Sequence, residues 1–175
     1  MYSLERVYQP IPFDRYRTET AERQDSEERY QKIKGSYQGS FEGKSLIDLC
    51  GANGFFGFRF IQDGGQSAII VDNNEDYISF VESIASEYSI PVLASTDLPD
   101  KKFDIGLYLD SHYSEGTEVY PIYLKDHVKV LFTSAGDVQD RELNYKLLLQ
   151  SIWEDVEEIH TGFMGRVIYK CTNAK

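Results

Sequence analysis

Residues 46–58 constrain the fold of this chain more than any other stretch. An apolar run, Leu46-Ile47-Asp48-Leu49, meets a turn of small residues, Cys50-Gly51-Ala52-Asn53-Gly54, and then a phenylalanine-rich segment, Phe55-Phe56-Gly57-Phe58. A short strand, a turn without bulky side chains and a helix start make the first β-turn-α unit of a doubly wound sheet. Small side chains let a ligand approach the backbone, and the helix start leaves N–H groups pointing at it. A second apolar run, Ser67–Val71, ends in Asp72. An acid at the tip of the second strand is placed to accept hydrogen bonds from both hydroxyls of a ribose. The pattern implies a crevice for a small molecule that contains a nucleoside.

The turn narrows the choice of nucleoside. A dinucleotide fingerprint needs G-x-G-x-x-G with room for a pyrophosphate, whereas Asp48 stands in that place and Cys50 and Ala52 occupy glycine positions. No Gly-Lys-Ser/Thr follows a strand, so a nucleotide-binding P-loop is absent. An acid beside the turn suits a ligand with a positive end, and S-adenosylmethionine carries a sulfonium and an ammonium. Residues 25–72, from Asp25-Ser26-Glu27-Glu28-Arg29 through Asp48–Phe58 to Val71-Asp72, resemble class I S-adenosylmethionine-dependent methyltransferases, especially members whose first motif continues into Gly-Phe-Phe-Ser-Phe. Asp97-Leu98-Pro99 and Phe103–Leu109 resemble the family's fourth-strand region, and the likeness runs in order over residues 20–171. The chain departs from the pattern in two places. Cys50-Gly51-Ala52-Asn53-Gly54 replaces Gly-x-Gly-x-Gly, and the acid-small pair at the adenine edge falls on Ala94-Ser95, with Asp97 as the stand-in acid. The resemblance implies that Asp48, Cys50, Gly51, Ala52, Gly54, Asp72, Asn73, Ser95 and Asp97 hold S-adenosylmethionine. Asn73 has an alternative role as the cap of the following helix.

The expected fold is α/β: a doubly wound, mostly parallel seven-stranded sheet with helices on both faces and a C-terminal antiparallel hairpin strand. Residues 1–18, with Pro10 and Pro12, read as an extended arm, residues 20–34 as a helix and 35–43 as a linker, so that 1–44 form a cap on a cofactor-binding domain of 45–175. Strands are predicted near 45–50, 67–72, 91–95, 103–109 and 128–133, and helices near 54–63, 75–88 and 138–153. The span Thr96–Lys102 is too short for a crossover helix. Residues 156–161 and 166–171 flank Gly162-Phe163-Met164-Gly165 as a hairpin. Phe55, Phe56, Phe58 and Phe60 are expected in the core, and Cys50 and Cys171 as buried thiols, with no metal site.

Charge bears on the substrate. The whole net charge of −11 falls after residue 44. Such a field repels polyanions and favours a small-molecule substrate, with nucleic acid disfavoured. Arg15, Arg17, Arg23, Arg29, Lys32 and Lys34 form a possible basic face near the N-terminus, or else pair with interleaved acids on a solvated helix. No apolar run nears the roughly 20 residues that span a bilayer, and Met1–Arg6 lacks an apolar leader core, so no membrane partner and a cytoplasmic location are expected. Oligomeric state is open.

Methyl transfer needs positioning more than side-chain chemistry. A proton acceptor for a hydroxyl or amine substrate belongs at the carboxyl end of the fourth strand, where Asp110-Ser111-His112-Tyr113 lie. His112 titrates nearest neutrality, Asp110 would orient it or bind an amine, and Tyr113 joins Tyr108, Tyr120 and Tyr123 as an aromatic wall of an acceptor site over loop 110–124. A structural role for these residues is equally open. Two further readings remain. Asp48-Leu49-Cys50-Gly51-Ala52 also resembles the Asp-Leu-Cys-Gly-Ala-Pro-Gly-Gly of RNA 2′-O-ribose methyltransferases, without the Pro-Gly-Gly. The lost glycines also fit a non-catalytic, methyltransferase-like binding protein.

Overall fold

The computed structural model describes residues 8–14, 21, 25–109, 119–134, 139–160 and 167–175, with 139–143 and 160 described by backbone only. These residues run α1 (Ser26–Ser36), β1 (Ser45–Leu49), α2 (Phe55–Gln62), β2 (Ser67–Val71), α3 (Glu75–Tyr88), β3 (Val92–Ser95), β4 (Phe103–Tyr108), α4 (Val119–His127), β5 (Val128–Thr133), α5 (Gln139–Ile152), β6 (Trp153–His160) and β7 (Val167–Ala174). The seven strands form one sheet in the order β3-β2-β1-β4-β5-β7-β6. The first five are parallel, and β7 enters antiparallel between β5 and β6. This is the expected architecture, hairpin included.

The central strands are continuous apolar runs because both faces are covered. One face packs on α1–α3 through Phe55, Phe56, Phe58, Phe60, Val81 and Ile84. The other packs on α4 and α5 through Leu124, Tyr145, Leu149 and Trp153. All four phenylalanines of α2 are buried, as expected. At the start of the sheet the Asp104 carboxylate accepts from the Ser45 N–H (3.0 Å) and from Lys129 Nζ (2.8 Å). Partial burial works against its charge, yet these bonds hold its carboxyl below the usual range.

Several boundaries move. The first helix starts at Ser26, not residue 20, because its buried stripe is Ser26, Arg29, Tyr30 and Ile33, at i, i+3, i+4 and i+7. Its last turn runs through Gly35 until the extended Tyr37 ends it. Strand β6 begins at Trp153 rather than 156, directly after α5, since Trp153 fills the core and pairs with Ala174. Residues 119–127 form α4 where a loop to 124 was expected, and Pro121 is tolerated there in the first turn.

Tyr30 ties α1 to the end of α2. Its hydroxyl lies 2.6 Å from Asp63 Oδ2 and 3.0 Å from the Arg59 carbonyl oxygen. Tyr30→Phe is expected to cost about 1–2 kcal/mol, because a bond to a carboxylate is worth more than a neutral one. Urea unfolding checks this, with a lower midpoint at unchanged slope.

Candidate functional site

The site lies at the carboxyl ends of β1, β2 and β3, where an open α/β sheet presents its crevice. β1 delivers Asp48, which is 2% exposed. Its Oδ2 has no hydrogen-bond partner. Burial, and then the charge of Asp72, push the Asp48 carboxyl up to about 8, against the opposing pull of the Arg29 guanidinium.

The turn Cys50–Gly54 follows, and its Gly51 packs against that carboxylate. A Cβ on Gly51 would lie 2.7 Å from Ile70 Cγ2 and 2.9 Å from Asp48 Oδ2, so only glycine fits. Cys50, Ala52 and Gly54 all have positive φ, at 57°, 47° and 81°. The turn therefore takes a glycine-favouring backbone at two positions that are not glycine. Each such residue costs roughly 1–2 kcal/mol. Cys50 is exposed, contrary to the expectation of a buried thiol, because its left-handed backbone turns it out of the strand. Burial of its thiol end, followed by Asp72 and Asp48, still pushes that thiol up to about 11. Cys171 is buried as expected.

Asp72 follows the end of β2. Its Oδ2 accepts from the Ala52 N–H (2.9 Å) and its Oδ1 from the Asn74 N–H (3.0 Å). The two strand-end loops are thereby joined through one half-exposed carboxylate. Asn74 caps α3 by accepting from the Asp76 N–H (2.9 Å); the exposed Asn73 does not. On the third strand end, Ser95 Oγ accepts from the Asp97 N–H (3.0 Å) and donates to the Asp97 carbonyl (3.1 Å), which fixes a small exposed turn.

The expected cofactor residues Asp48, Cys50, Gly51, Ala52, Gly54, Asp72, Asn73, Ser95 and Asp97 thus fall on three adjacent strand ends. Asp110, His112 and Tyr113 lie outside the described residues, as do Arg15, Arg17 and Arg23. Tyr108 and Tyr120 pack ring to ring at 5.3 Å, with Tyr108 wholly buried. Tyr123 stacks on His127 and donates to the Pro99 carbonyl, below β4 and away from the crevice. Among the described residues, no group of three or more His, Cys, Asp or Glu could hold a metal ion, and no helix is long and apolar enough to cross a membrane.

Two site residues escaped the sequence reading. Arg29, grouped there with a basic or solvated face, is 2% exposed, with its guanidinium carbon 5.8 Å from the centre of the Phe56 ring. Its place in the stripe Ser26, Arg29, Tyr30, Ile33 was the available signal. Gln9, from the arm, pairs with Asn53 in the turn, and no local pattern marks it.

No protein-family model and no curated protein matches this sequence. Solved structures do match. WbdD superposes with a TM-score of 0.72 at 15% identity, covering 96% of this chain and 45% of its own. Magnesium protoporphyrin IX methyltransferase (ChlM) from Synechocystis PCC 6803, solved with bound SAM, gives 0.64 at 18% identity, covering 85% of this chain and 77% of its own. The 16S rRNA N2 G1207 methyltransferase RsmC of T. thermophilus, solved with AdoMet and guanosine, gives 0.66 at 11% identity, covering 83% and 41%. The fold is that of the class I methyltransferases. The antiparallel strand inserted at 5-7-6 belongs to that class I methyltransferase fold, and the residues described above lie at the carboxyl ends of its first three strands.

Proposed function

We propose that this protein binds S-adenosylmethionine and transfers its methyl group to a small-molecule acceptor. The observation that carries this reading is the buried Asp48 oxygen without a partner, beside a turn that keeps three positive-φ residues although two of them are not glycine.

When bound, the cofactor supplies an electrophilic methyl group on a sulfonium, so the chain's own work is to orient it and exclude water. Asp48 takes the ammonium end. Gly51, packed closely on Ile70 and Asp48, keeps a side chain out of the turn that would meet the ligand. Asp72, oriented by its two backbone bonds, keeps a second lone pair on each oxygen for the ribose hydroxyls. Ser95 and Asp97 flank the adenine. Asp110, His112 and Tyr113, which follow β4 in the chain, are the proposed acceptor-side residues, with His112 taking a proton from a hydroxyl or amine. The net charge of −11 argues for a small acceptor over a nucleic acid.

Titration calorimetry with S-adenosylmethionine and S-adenosylhomocysteine tests this. Micromolar binding is expected, weakened about tenfold or more by Asp72→Ala, a loss of about 1.4 kcal/mol. Absence of heat and of any thermal shift with both ligands would leave the non-catalytic reading standing. Retention of tRNA that weakens with salt would favour a nucleic-acid acceptor instead.

A further inference from the structure

The turn that meets the proposed cofactor takes a left-handed backbone at Cys50 and Ala52, where glycine would adopt it unaided, so contacts from outside the turn must help to hold it. Asn53 lies between Ala52 and Gly54 and spends both ends of its amide on one residue of the N-terminal arm. Its Nδ2 donates to the Gln9 carbonyl (2.8 Å) and its Oδ1 accepts from the Gln9 N–H (2.9 Å). Gln9 also returns its own side chain to the turn. Its Oε1 accepts from the Phe55 N–H (3.4 Å) at the start of α2, where Gly54 has no side chain to cap the helix. Asn53 is 2% and Gln9 7% exposed, so these bonds form away from competing water.

The arm is held in place independently of the turn. Ile11 is fully buried, and Gln62 Nε2 donates to the Pro12 carbonyl (2.9 Å). Phe13 stacks on Tyr88 with ring centres 4.2 Å apart and meets Phe58 edge-on at 5.5 Å. A residue fixed this firmly can brace another. Two antiparallel bonds to a single amide fix the position of Asn53, and with it the backbone on either side, including the left-handed Ala52 and Gly54. Glycine reaches that conformation unaided and needs no such brace.

We propose that Gln9 and Asn53 form a clasp that holds this turn in its left-handed shape although Cys50 and Ala52 are not glycine, which makes arm residues 8–14 a positioning part of the cofactor site. The ligand half of this inference rests on the function proposed above; the structural half does not. The clasp is specific to a turn in which Cys50 and Ala52 stand for glycine, so restoring those glycines makes it dispensable. Asn53→Ala, Cys50→Gly/Ala52→Gly and the triple variant test this.

Two readouts apply, backbone hydrogen exchange of residues 50–55 without ligand and calorimetric affinity for S-adenosylhomocysteine. Asn53→Ala is expected to speed exchange and to weaken affinity about tenfold or more. The triple variant is expected to regain affinity to within about threefold of the glycine double variant. A merely structural asparagine would not be rescued by two glycines elsewhere in the turn. The clasp is overturned if the triple variant binds as poorly as Asn53→Ala, or if Asn53→Ala exchanges and binds like the parent. Should Asn53→Ala alone not fold, the same substitution in the glycine background is still expected to fold and bind, and its failure there overturns the proposal. If the parent protein binds no S-adenosylhomocysteine while exchange in the turn rises with Asn53→Ala, the cofactor reading fails and the clasp stands.

Discussion

Asp48→Asn is expected to strengthen the fold and to remove most of the affinity for S-adenosylhomocysteine. The substitution keeps the shape of the side chain and removes a charge held in a buried site. The Asp48 carboxyl is raised from an ordinary value of 3.8 to about 8, first by burial and then by Asp72. The folded chain therefore keeps a proton that the unfolded chain releases once the pH passes about 4. Stability is full below that point, falls as pH rises through the window from about 4 to 8, and levels off above about 8. Each unit of such a shift corresponds to about 1.4 kcal/mol. Asparagine cannot ionise, so the stability gap between variant and parent is expected to open across this window. It should reach the order of a few kcal/mol at pH 8, reduced by the loss of attraction to Arg29. Binding moves the other way, because an ammonium group finds its counter-charge gone, and a loss of affinity well beyond tenfold is expected. Thermal unfolding between pH 4 and 9, together with titration calorimetry, checks both halves. A variant less stable than the parent at pH 8 would show that the carboxylate is structural.

Gly51→Ala should also weaken binding, with the opposite effect on the fold. The added methyl would lie 2.7 Å from Ile70 Cγ2 and 2.9 Å from Asp48 Oδ2. Ile70 is fully buried and Asp48 nearly so, so neither has open space to retreat into. Overpacking of this kind costs about 1–3 kcal/mol. The relief available is to push the Asp48 carboxylate or the turn outward, which misplaces the group that meets the ligand. A lowered urea midpoint together with a loss of affinity above about tenfold is expected. The two variants thus share a binding defect and differ in the sign of their stability change, which separates a ligand-binding charge from a generally damaged turn.

The sheet was readable in the sequence because its parallel strands are short apolar runs, the central ones buried on both faces, and Asp48 and Asp72 are acids at the ends of two of them. Position along a strand fixes position at the carboxyl edge of the sheet, so the strand pattern alone places these residues. Helix α4 was not readable, since Pro121 interrupts its first turn and only Pro121 and Leu124 are buried, too few to mark a face. The start of β6 was hidden because Ile152 and Trp153 are apolar under either period. Arg29 looked solvated by residue type, although its helical spacing with Tyr30 and Ile33 set it on the buried stripe. At Cys50 and Ala52 residue type argued against the left-handed turn that the chain adopts. The reason is tertiary: the brace on Asn53 comes from Gln9, 44 positions away.

Proton counting on ligand binding tests the central claim most directly. An ammonium group against Asp48 requires the ionised carboxylate, while the free protein near pH 7 holds it protonated. Calorimetry with S-adenosylhomocysteine at pH 7, in two buffers of different ionisation enthalpy, is expected to report release of close to one proton per ligand bound, and none in Asp48→Asn. Affinity is expected to fall by up to about tenfold for each pH unit below 8. Binding without proton release, with affinity flat from pH 6 to 8, would contradict the placement of the cofactor's charged end on Asp48.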